Sequence, residues 1–179
     1  REIAMVSLHI PLDEEFMISC GQNGLDGLGR FNGKIKTVID IGAHVGVFSL
    51  GAVYAGAEAV YAFEPSKYNY GLLWANVIEN QLLGVVTPIN LAVWSNTGMM
   101  VPIKSGGGNS GQMSIAFKDT FLTANFCRTI SLPDAIRLAG GEIDYMKVDV
   151  EGADFWVFAK NDDVRQSLAC VKVLDLEMH

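Results

Sequence analysis

The sequence predicts an α/β fold built on a doubly wound, mostly parallel sheet. Short apolar segments rich in β-branched residues alternate with segments of helical length, and carboxylates gather where the apolar segments end. The strand segments are near-continuous apolar runs, which is typical of strands covered by helices on both faces. The chain has 179 residues, of which 50% are apolar, and this suits about one domain with its own core.

The predicted elements follow one another from Thr37 onward. Their order is β-α-β-α-β, a small β insertion and α-β-α-β, on the segments TVID, VGVFSLGAVYAG, AVYAFE, KYNYGLLWANVIEN and VVTPINLAVW, then MMVPIK, MSIAF and CRTIS, then a helix after Ser131, IDYMKVDV, ADFWVFAK and VKVLDLEM. Ser131 is a typical N-cap, Pro133 suits the first helical turn, and Gly140 ends that helix.

Two regions differ in character. Residues 1–36 are predicted to be a turn-rich approach, and residues 37–179 to be the functional domain, shortened at its C-terminal end.

Within the domain, Tyr68, Tyr70 and Trp74 recur at helical spacing and are predicted to face the core. Trp94 follows the third strand, where it either stacks on a ligand or packs inside; both interpretations stay open.

Composition excludes several classes of partner. The net charge is −7 and no run of basic residues occurs, which disfavours nucleic acid. Cys20, Cys127 and Cys170 are far apart and form no CxxC pair, so we expect reduced thiols in a cytoplasmic protein. No signal-peptide pattern and no apolar run of the ~20 residues needed for a membrane span is present.

The stretch TVIDIGAHVGVFSL has the pattern of a buried strand, a glycine turn and a helix start. Gly42 and Gly46 let the backbone turn sharply and let a ligand approach closely. Glu64 ends the next strand, 22 positions after Gly42, where an acidic side chain accepts hydrogen bonds from a ribose diol. The pattern predicts a nucleotide-containing cofactor at the carboxyl edge of the sheet. For the turn alone, an ordinary strand–helix connection is the alternative.

Two features favour S-adenosylmethionine over NAD as this cofactor. The turn has the spacing G-A-H-V-G and lacks the third glycine of the GxGxxG dinucleotide pattern. Asp40 places a carboxylate near the end of the first strand, which suits a positively charged ligand better than a pyrophosphate.

Four stretches together resemble the FkbM-type S-adenosylmethionine-dependent methyltransferases: VIDIGAHVGVFSL, AFEPS, LLWANVIENQ and YMKVDVEGADFWVF. The last is the most specific, because K-x-D-V-E-G followed by an acidic residue and an apolar helix is the hallmark of that family. The resemblance covers residues 37–179 and implies a Rossmann-like class I methyltransferase fold. It also implies O-methylation of a hydroxyl group on a sugar, a polyketide or another small metabolite.

The resemblance implies the cofactor contacts as well. The glycine turn lines the methionine end, the acidic residue after the second strand binds the ribose, and the backbone after the third strand borders the adenine. The implied set is Asp40, Gly42, Ala43, His44, Gly46, Glu64, Ala92 and Val93. The family usually has Asn in place of His44, so an imidazole contact is expected to replace an amide one. Asp154 replaces the usual Glu, and the class I sheet normally continues beyond the end of this chain.

The segment KVDVEG contains the predicted reaction centre. Lys147, Asp149 and Glu151 alternate along the strand and therefore share one of its faces. Asp149, with Glu151 beside it, is expected to orient the acceptor hydroxyl or to accept its proton. The structural alternative is an ion pair between Lys147 and Asp149, with Glu151 capping the next helix, because buried carboxylates need partners.

The last strand adds two candidates. Glu177 and His179 alternate at its end and are expected to approach Asp149 if the strands are parallel neighbours. His179 is a candidate general base oriented by Glu177, and an exposed strand end is the alternative. Asp149, Glu151 and Glu177 are ligand types that Mg²⁺ accepts, but no metal-specific spacing is present, so we predict no metal site.

The predicted catalytic set is therefore Asp149, Glu151 and His179. Two other functions stay open from the sequence. One is an NAD-dependent oxidoreductase. The other is a non-catalytic cofactor-binding or interaction domain, which a closed ion network at these three residues, without a cleft beside it, would favour.

Overall fold

The computed structural model of the chain describes residue 28 and residues 34–103, 125–150, 152–158 and 162–177. The loop SGGGNSGQ, the predicted strand MSIAF and the candidates Glu151 and His179 lie outside the described residues. The described strands are β1 (Thr37–Ile41), β2 (Ala59–Phe63), β3 (Val86–Ile89), β4 (Ala92–Trp94), β5 (Met100–Ile103), β6 (Asn125–Ser131), β7 (Ile143–Asp149) and β8 (Val171–Glu177). The helices with described bounds are α1 (Val47–Tyr54), α2 (Lys67–Glu79), α3 (Leu132–Leu138), α4 (Asp154–Val157) and α5 (Asp162–Leu168).

The main sheet has the strand order β3-β2-β1-β7-β8, and every neighbouring pair in it is parallel. The parallel α/β architecture predicted from the sequence is therefore confirmed. Strand β1 lies between β2 and β7, with Asp40 beside Ala62 on one side and Lys147 on the other. The turn that follows β1 consequently lies between the ends of two other strands.

Helices cover both faces of the main sheet, as a doubly wound fold requires. On one face, α1 and α2 pack on alternate strand residues such as Val38, Val60 and Tyr145. On the other face, α3 and α5 pack on the intervening residues, among them Ile39 and Met146. Because strand side chains alternate between faces, Asp40, Lys147 and Asp149 belong to the face covered by α1.

A second, three-stranded sheet has the order β4-β6-β5, with β4 parallel and β5 antiparallel to β6. The predicted single strand VVTPINLAVW is wrong, because it is divided between β3 in the main sheet and β4 in this one. The division falls at Asn90, where the N–H of Leu91 donates to the Ile89 carbonyl at 3.0 Å in a tight turn. That turn redirects the chain out of the main sheet.

Two other expectations about helices need correction. Tyr68 and Trp74 are 68% and 40% exposed, so the predicted burial of these aromatics is wrong. The buried side of α2 consists of Asn69, Leu73, Asn76 and Val77 instead. The sequence pattern does not predict helix α5. Val164 is the one buried residue of this helix, so the segment has no apolar stripe that would indicate a helix.

Candidate functional site

The glycine turn between β1 and α1 is shaped by residues in the left-handed region. Gly42 and Gly46 have φ values of 85° and 97°. A β-carbon on Gly42 would lie 1.8 Å from the carbonyl oxygen of Asp149, so only glycine lets the turn contact the end of β7. The N–H groups of Gly42 and Ala43 both donate to the Phe63 carbonyl at 3.0 Å. The turn is therefore tied to β2 and packed on β7 at once.

His44 also adopts a left-handed conformation, with φ 51°. Asn and His are among the non-glycine residues enriched in this region. The backbone conformation at this position therefore suits either a histidine or an asparagine. The N–H of His44 donates to Oε2 of Glu64 at 2.8 Å. The role of its imidazole stays a prediction.

Glu64 lies at the end of β2 and is 5% exposed. Its Oε1 accepts the N–H of Ser66 at 2.8 Å, so its two oxygens join the turn after β1 to the start of α2. Burial raises the pKa of Glu64 to about 7, although the N–H groups of Ser66 and His44 act in the opposite direction. A carboxylate offers about four acceptor positions, which leaves capacity for hydroxyl groups of a ligand.

Two asparagines outside the predicted site residues stabilise the loops of the site by donating to their backbone carbonyls. Asn76, 2% exposed on α2, donates its amide to the Val45 carbonyl at 2.9 Å. Asn90 donates to the carbonyls of Glu64 at 2.8 Å and Pro65 at 3.1 Å. A polar residue at a buried helix position, as Asn76 is, was the available signal. These amides hold the two loops that carry the candidate cofactor contacts.

Asp40 is completely buried at the end of β1. Its Oδ2 accepts the hydroxyl of Ser49 at 2.6 Å, while its Oδ1 has no hydrogen-bond partner within the described part of the chain. Burial raises the pKa of Asp40, and Lys147 and the Ser49 hydroxyl lower it in part. A buried carboxylate oxygen with unmet acceptor capacity suits a cationic or hydrogen-donating ligand group.

Lys147 and Asp149 form an ion pair with 2.9 Å between Nζ and Oδ2. The pair that was the structural alternative is thus present, and a catalytic role for Asp149 stays a prediction. The side chain of Asp149 is 25% exposed, so this carboxylate is not sealed from solvent. Glu177 lies beside Asp149 in the β7–β8 register, as expected from parallel neighbours.

The candidate adenine region lies after the turn at Asn90. Ala92 and Val93 are both buried in β4, which belongs to the second sheet. Trp94 is 4% exposed and stacks on Trp156 with ring centroids 5.1 Å apart. Packing is therefore the observed role of Trp94. Contact between the cofactor and Ala92 or Val93 stays a prediction.

Over the described ranges, no three His, Cys, Asp or Glu side chains are grouped as metal ligands. Within the same part of the chain, no helix has the length and apolar character needed to cross a membrane.

The solved structures to which this chain is similar include three methyltransferases. Methyltransferase FkbM from Methylobacillus flagellatus KT has a TM-score of 0.52 and 16% identity, over 79% of this chain and 32% of that one. PRMT6-SAH has a TM-score of 0.49 and 13% identity, over 93% and 43%. Arabidopsis thaliana protein arginine methyltransferase 10 has a TM-score of 0.40 and 21% identity, over 75% and 28%. The chain thus spans less than half the length of each.

The sequence comparisons identify the family to which the chain belongs. No curated protein matches the sequence. Residues 40–179 match the model of the methyltransferase FkbM domain, which is well over half of the chain. The parallel sheet, its helices and the likeness to the Methylobacillus structure agree with a class I methyltransferase fold. The chain therefore belongs to the FkbM methyltransferase family.

Proposed function

We propose that this chain is the cofactor-binding and catalytic domain of an S-adenosylmethionine-dependent methyltransferase that acts on a hydroxyl group of a sugar, a polyketide or another small metabolite. One observation carries the proposal: Glu64, the glycine turn and the buried Asp40 converge at the carboxyl edge of the sheet. Family membership supports methyl transfer, and the unmet acceptor oxygen of Asp40 supports a ligand with a positive charge.

The roles we propose for the residues are those that the family resemblance implies. Glu64 holds the ribose hydroxyls, and Asp40, Gly42, Ala43, His44 and Gly46 surround the methionine end, with Ala92 and Val93 toward the adenine. The chemistry that S-adenosylmethionine supplies when bound is an electrophilic methyl group on a positively charged sulfur. Positioning contributes much of the rate in such a transfer.

Asp149 is the residue we assign to the acceptor. Its partly exposed carboxylate would accept a hydrogen bond from the acceptor hydroxyl and take its proton, while the hydroxyl oxygen gains the methyl group and the bond from that methyl to sulfur breaks. Glu151 and His179 are proposed to assist at the same edge, with His179 as a second candidate base. They lie outside the described residues, so their support comes from the sequence pattern.

The nature of the acceptor and the location of the protein complete the proposal. The net charge of −7 weighs against a polyanionic nucleic acid, whose binding depends on clustered basic residues. Cys127 and Cys170 are free thiols, which supports a cytoplasmic location. The family match weighs against the NAD-dependent oxidoreductase alternative.

The test is calorimetric titration of the protein with S-adenosylhomocysteine, and with NAD as a control ligand. We expect binding of the first ligand and none of the second. The Glu64→Ala variant should bind S-adenosylhomocysteine about 10- to 100-fold more weakly, because hydrogen bonds to a charged group are lost. The matched control is Glu58→Ala, which removes an exposed carboxylate at the opposite end of β2 and should leave the affinity unchanged.

Failure would be clear in two ways. A folded protein that binds neither ligand would overturn the cofactor assignment. Equal weakening by Glu58→Ala and Glu64→Ala would show that the loss reflects general destabilisation rather than a ribose contact.

A further inference from the structure

Lys147 is a buried lysine in the centre of a charged row at the site. It is 7% exposed and lies in register with Asp40 of β1 and Asp175 of β8. Its Nζ is 2.9 Å from Oδ2 of Asp149 and 5.8 Å from the ring centroid of Phe48 on α1. The ammonium group is therefore held by an ion pair on its own strand and by a cation–π contact with α1.

The charges around Lys147 are unbalanced. Asp40, Asp149 and Glu177, from three adjacent strands, all act on its ammonium group. Burial by itself lowers the pKa of Lys147, but these carboxylates outweigh it and raise the pKa. The ammonium group of Lys147 thus lies among three carboxyl groups, and losing its positive charge would make the field at this edge of the sheet more negative.

The charged groups around Lys147 lie next to the glycine turn. Gly42 contacts the backbone of Asp149 directly, and Asp40 precedes Gly42 by two residues. The turn assigned to the methionine end of the cofactor is therefore bordered by the charges that Lys147 balances. S-adenosylmethionine and S-adenosylhomocysteine differ at sulfur, which is a cationic sulfonium in the first and a neutral thioether in the second.

We propose that Lys147 is a positioning residue that holds Asp149 and sets the relative affinity of the site for the cationic cofactor and its neutral product. This inference rests on the proposed function, because it requires that both ligands bind at the glycine turn. With Lys147 present, the site attracts the sulfonium less strongly than its carboxylates alone would. The lysine thus limits how tightly the positively charged cofactor is held before methyl transfer.

The test measures both dissociation constants by calorimetry at about pH 8.5, where Glu64, whose pKa burial raises to about 7, is ionised. In Lys147→Met, we expect the affinity for S-adenosylmethionine relative to S-adenosylhomocysteine to rise about three- to tenfold, as one unit charge is removed in a partly solvated site. Lys147→Arg keeps the charge and should keep the wild-type ratio. Lys147→Met combined with Asp149→Asn removes one charge of each sign and should return the ratio toward the wild type.

Lys172→Met is the matched control. Lys172 also forms an ion pair, 2.6 Å to Asp144, but near the start of β8 and with a side chain that is 65% exposed. Its loss should leave the ratio unchanged. Where Lys147→Met unfolds, Lys147→Gln serves instead, because its amide can still donate to Asp149 while the charge is absent. The same rise in the ratio is expected.

Each outcome separates this inference from the proposed function. If the wild type binds neither ligand, the proposed function fails. If the wild type binds both and the neutral variants weaken both equally, Lys147 has only a structural role and the inference is overturned. A changed ratio in Lys147→Arg would also overturn it, since charge would then not be the cause.

Discussion

Gly42 lies so close to Asp149 that a β-carbon at position 42 would come within 1.8 Å of the Asp149 carbonyl oxygen. The turn after β1 and the end of β7 are therefore one packed unit. A residue of the candidate cofactor turn and the candidate acceptor residue are placed together by a backbone contact that only glycine permits. Asp149 could not keep its position if the turn moved, and this relationship leads to the first prediction.

Gly42→Ala should destabilise the fold by more than about 2 kcal/mol, because the added methyl group meets backbone and the residue has a positive φ. It should also abolish S-adenosylhomocysteine binding. Urea unfolding and calorimetry measure the two effects. Gly71→Ala is the matched control: it lies exposed in α2 with no atoms near its β-position, so it should stabilise the fold by roughly 0.5–1 kcal/mol. A tolerated Gly42→Ala would contradict the close packing.

The ionisation of Glu64 should make the stability fall as the pH rises. Its folded-state pKa of about 7 exceeds its ordinary value of 4.5, so the folded chain keeps a proton that the unfolded chain has lost. The stabilisation is complete below the ordinary value and is lost as the pH rises through about 7. The free energy of unfolding of the wild type, relative to Glu64→Gln, should fall by roughly 3 kcal/mol over this window. Parallel pH curves for the two proteins would refute the assignment.

The same group should make ligand binding rise with pH, opposite to the trend in stability. Ribose hydroxyls donate to the ionised carboxylate, and about a tenth of Glu64 is ionised one unit below its pKa. The affinity for S-adenosylhomocysteine should therefore increase about tenfold between about pH 6 and pH 8 and then level off. Titrations across this range measure the effect, and Glu64→Gln should show a flat profile. A wild-type profile without the rise would mean that ribose does not depend on this carboxylate.

Asn76 and Asn80 should separate support of the turn from simple helix stability. Asn76→Ala leaves the buried Val45 carbonyl unpaired and should cost about 1–3 kcal/mol, together with a severalfold loss of S-adenosylhomocysteine affinity. Asn80→Ala removes a bond to the Asn76 carbonyl at the end of α2 and should lower stability without changing affinity. Thermal unfolding and calorimetry on both variants are the measurements. Equal effects on affinity would exclude a specific role for Asn76.

Much of the site was accessible from the sequence, because its signals are local. The strand, glycine turn and helix from Thr37 to Tyr54 follow one another without interruption, and Glu64 ends the next strand at the expected distance. Ser131 caps α3 as predicted, by accepting the N–H of Asp134. Each of these features depends on residues that are close together in the sequence. Their propensities and spacing can therefore be recognised without a structure.

Contacts between distant segments were decided by the tertiary structure. Asn76 reaches Val45, 31 positions away, and Asn90 reaches Glu64, 26 positions away. The sequence does not show which distant carbonyl either amide meets. The turn at Asn90 that sends β4 to a second sheet is equally invisible in an apolar run that continues past it. Tyr68 and Trp74 recur at the same helical spacing as the buried residues of α2, so spacing alone does not show that they lie on the exposed face.

The positions of the charged residues depend partly on the local sequence pattern and partly on the fold. The alternation in KVDVEG places Lys147 and Asp149 on one face of a strand, and this is visible without a structure. That Lys147 lies beside Asp40, more than 100 residues away in the chain, follows from the register of β1 with β7. Register is set by the packing of whole strands and their helices, so only the folded structure decides which buried charges meet.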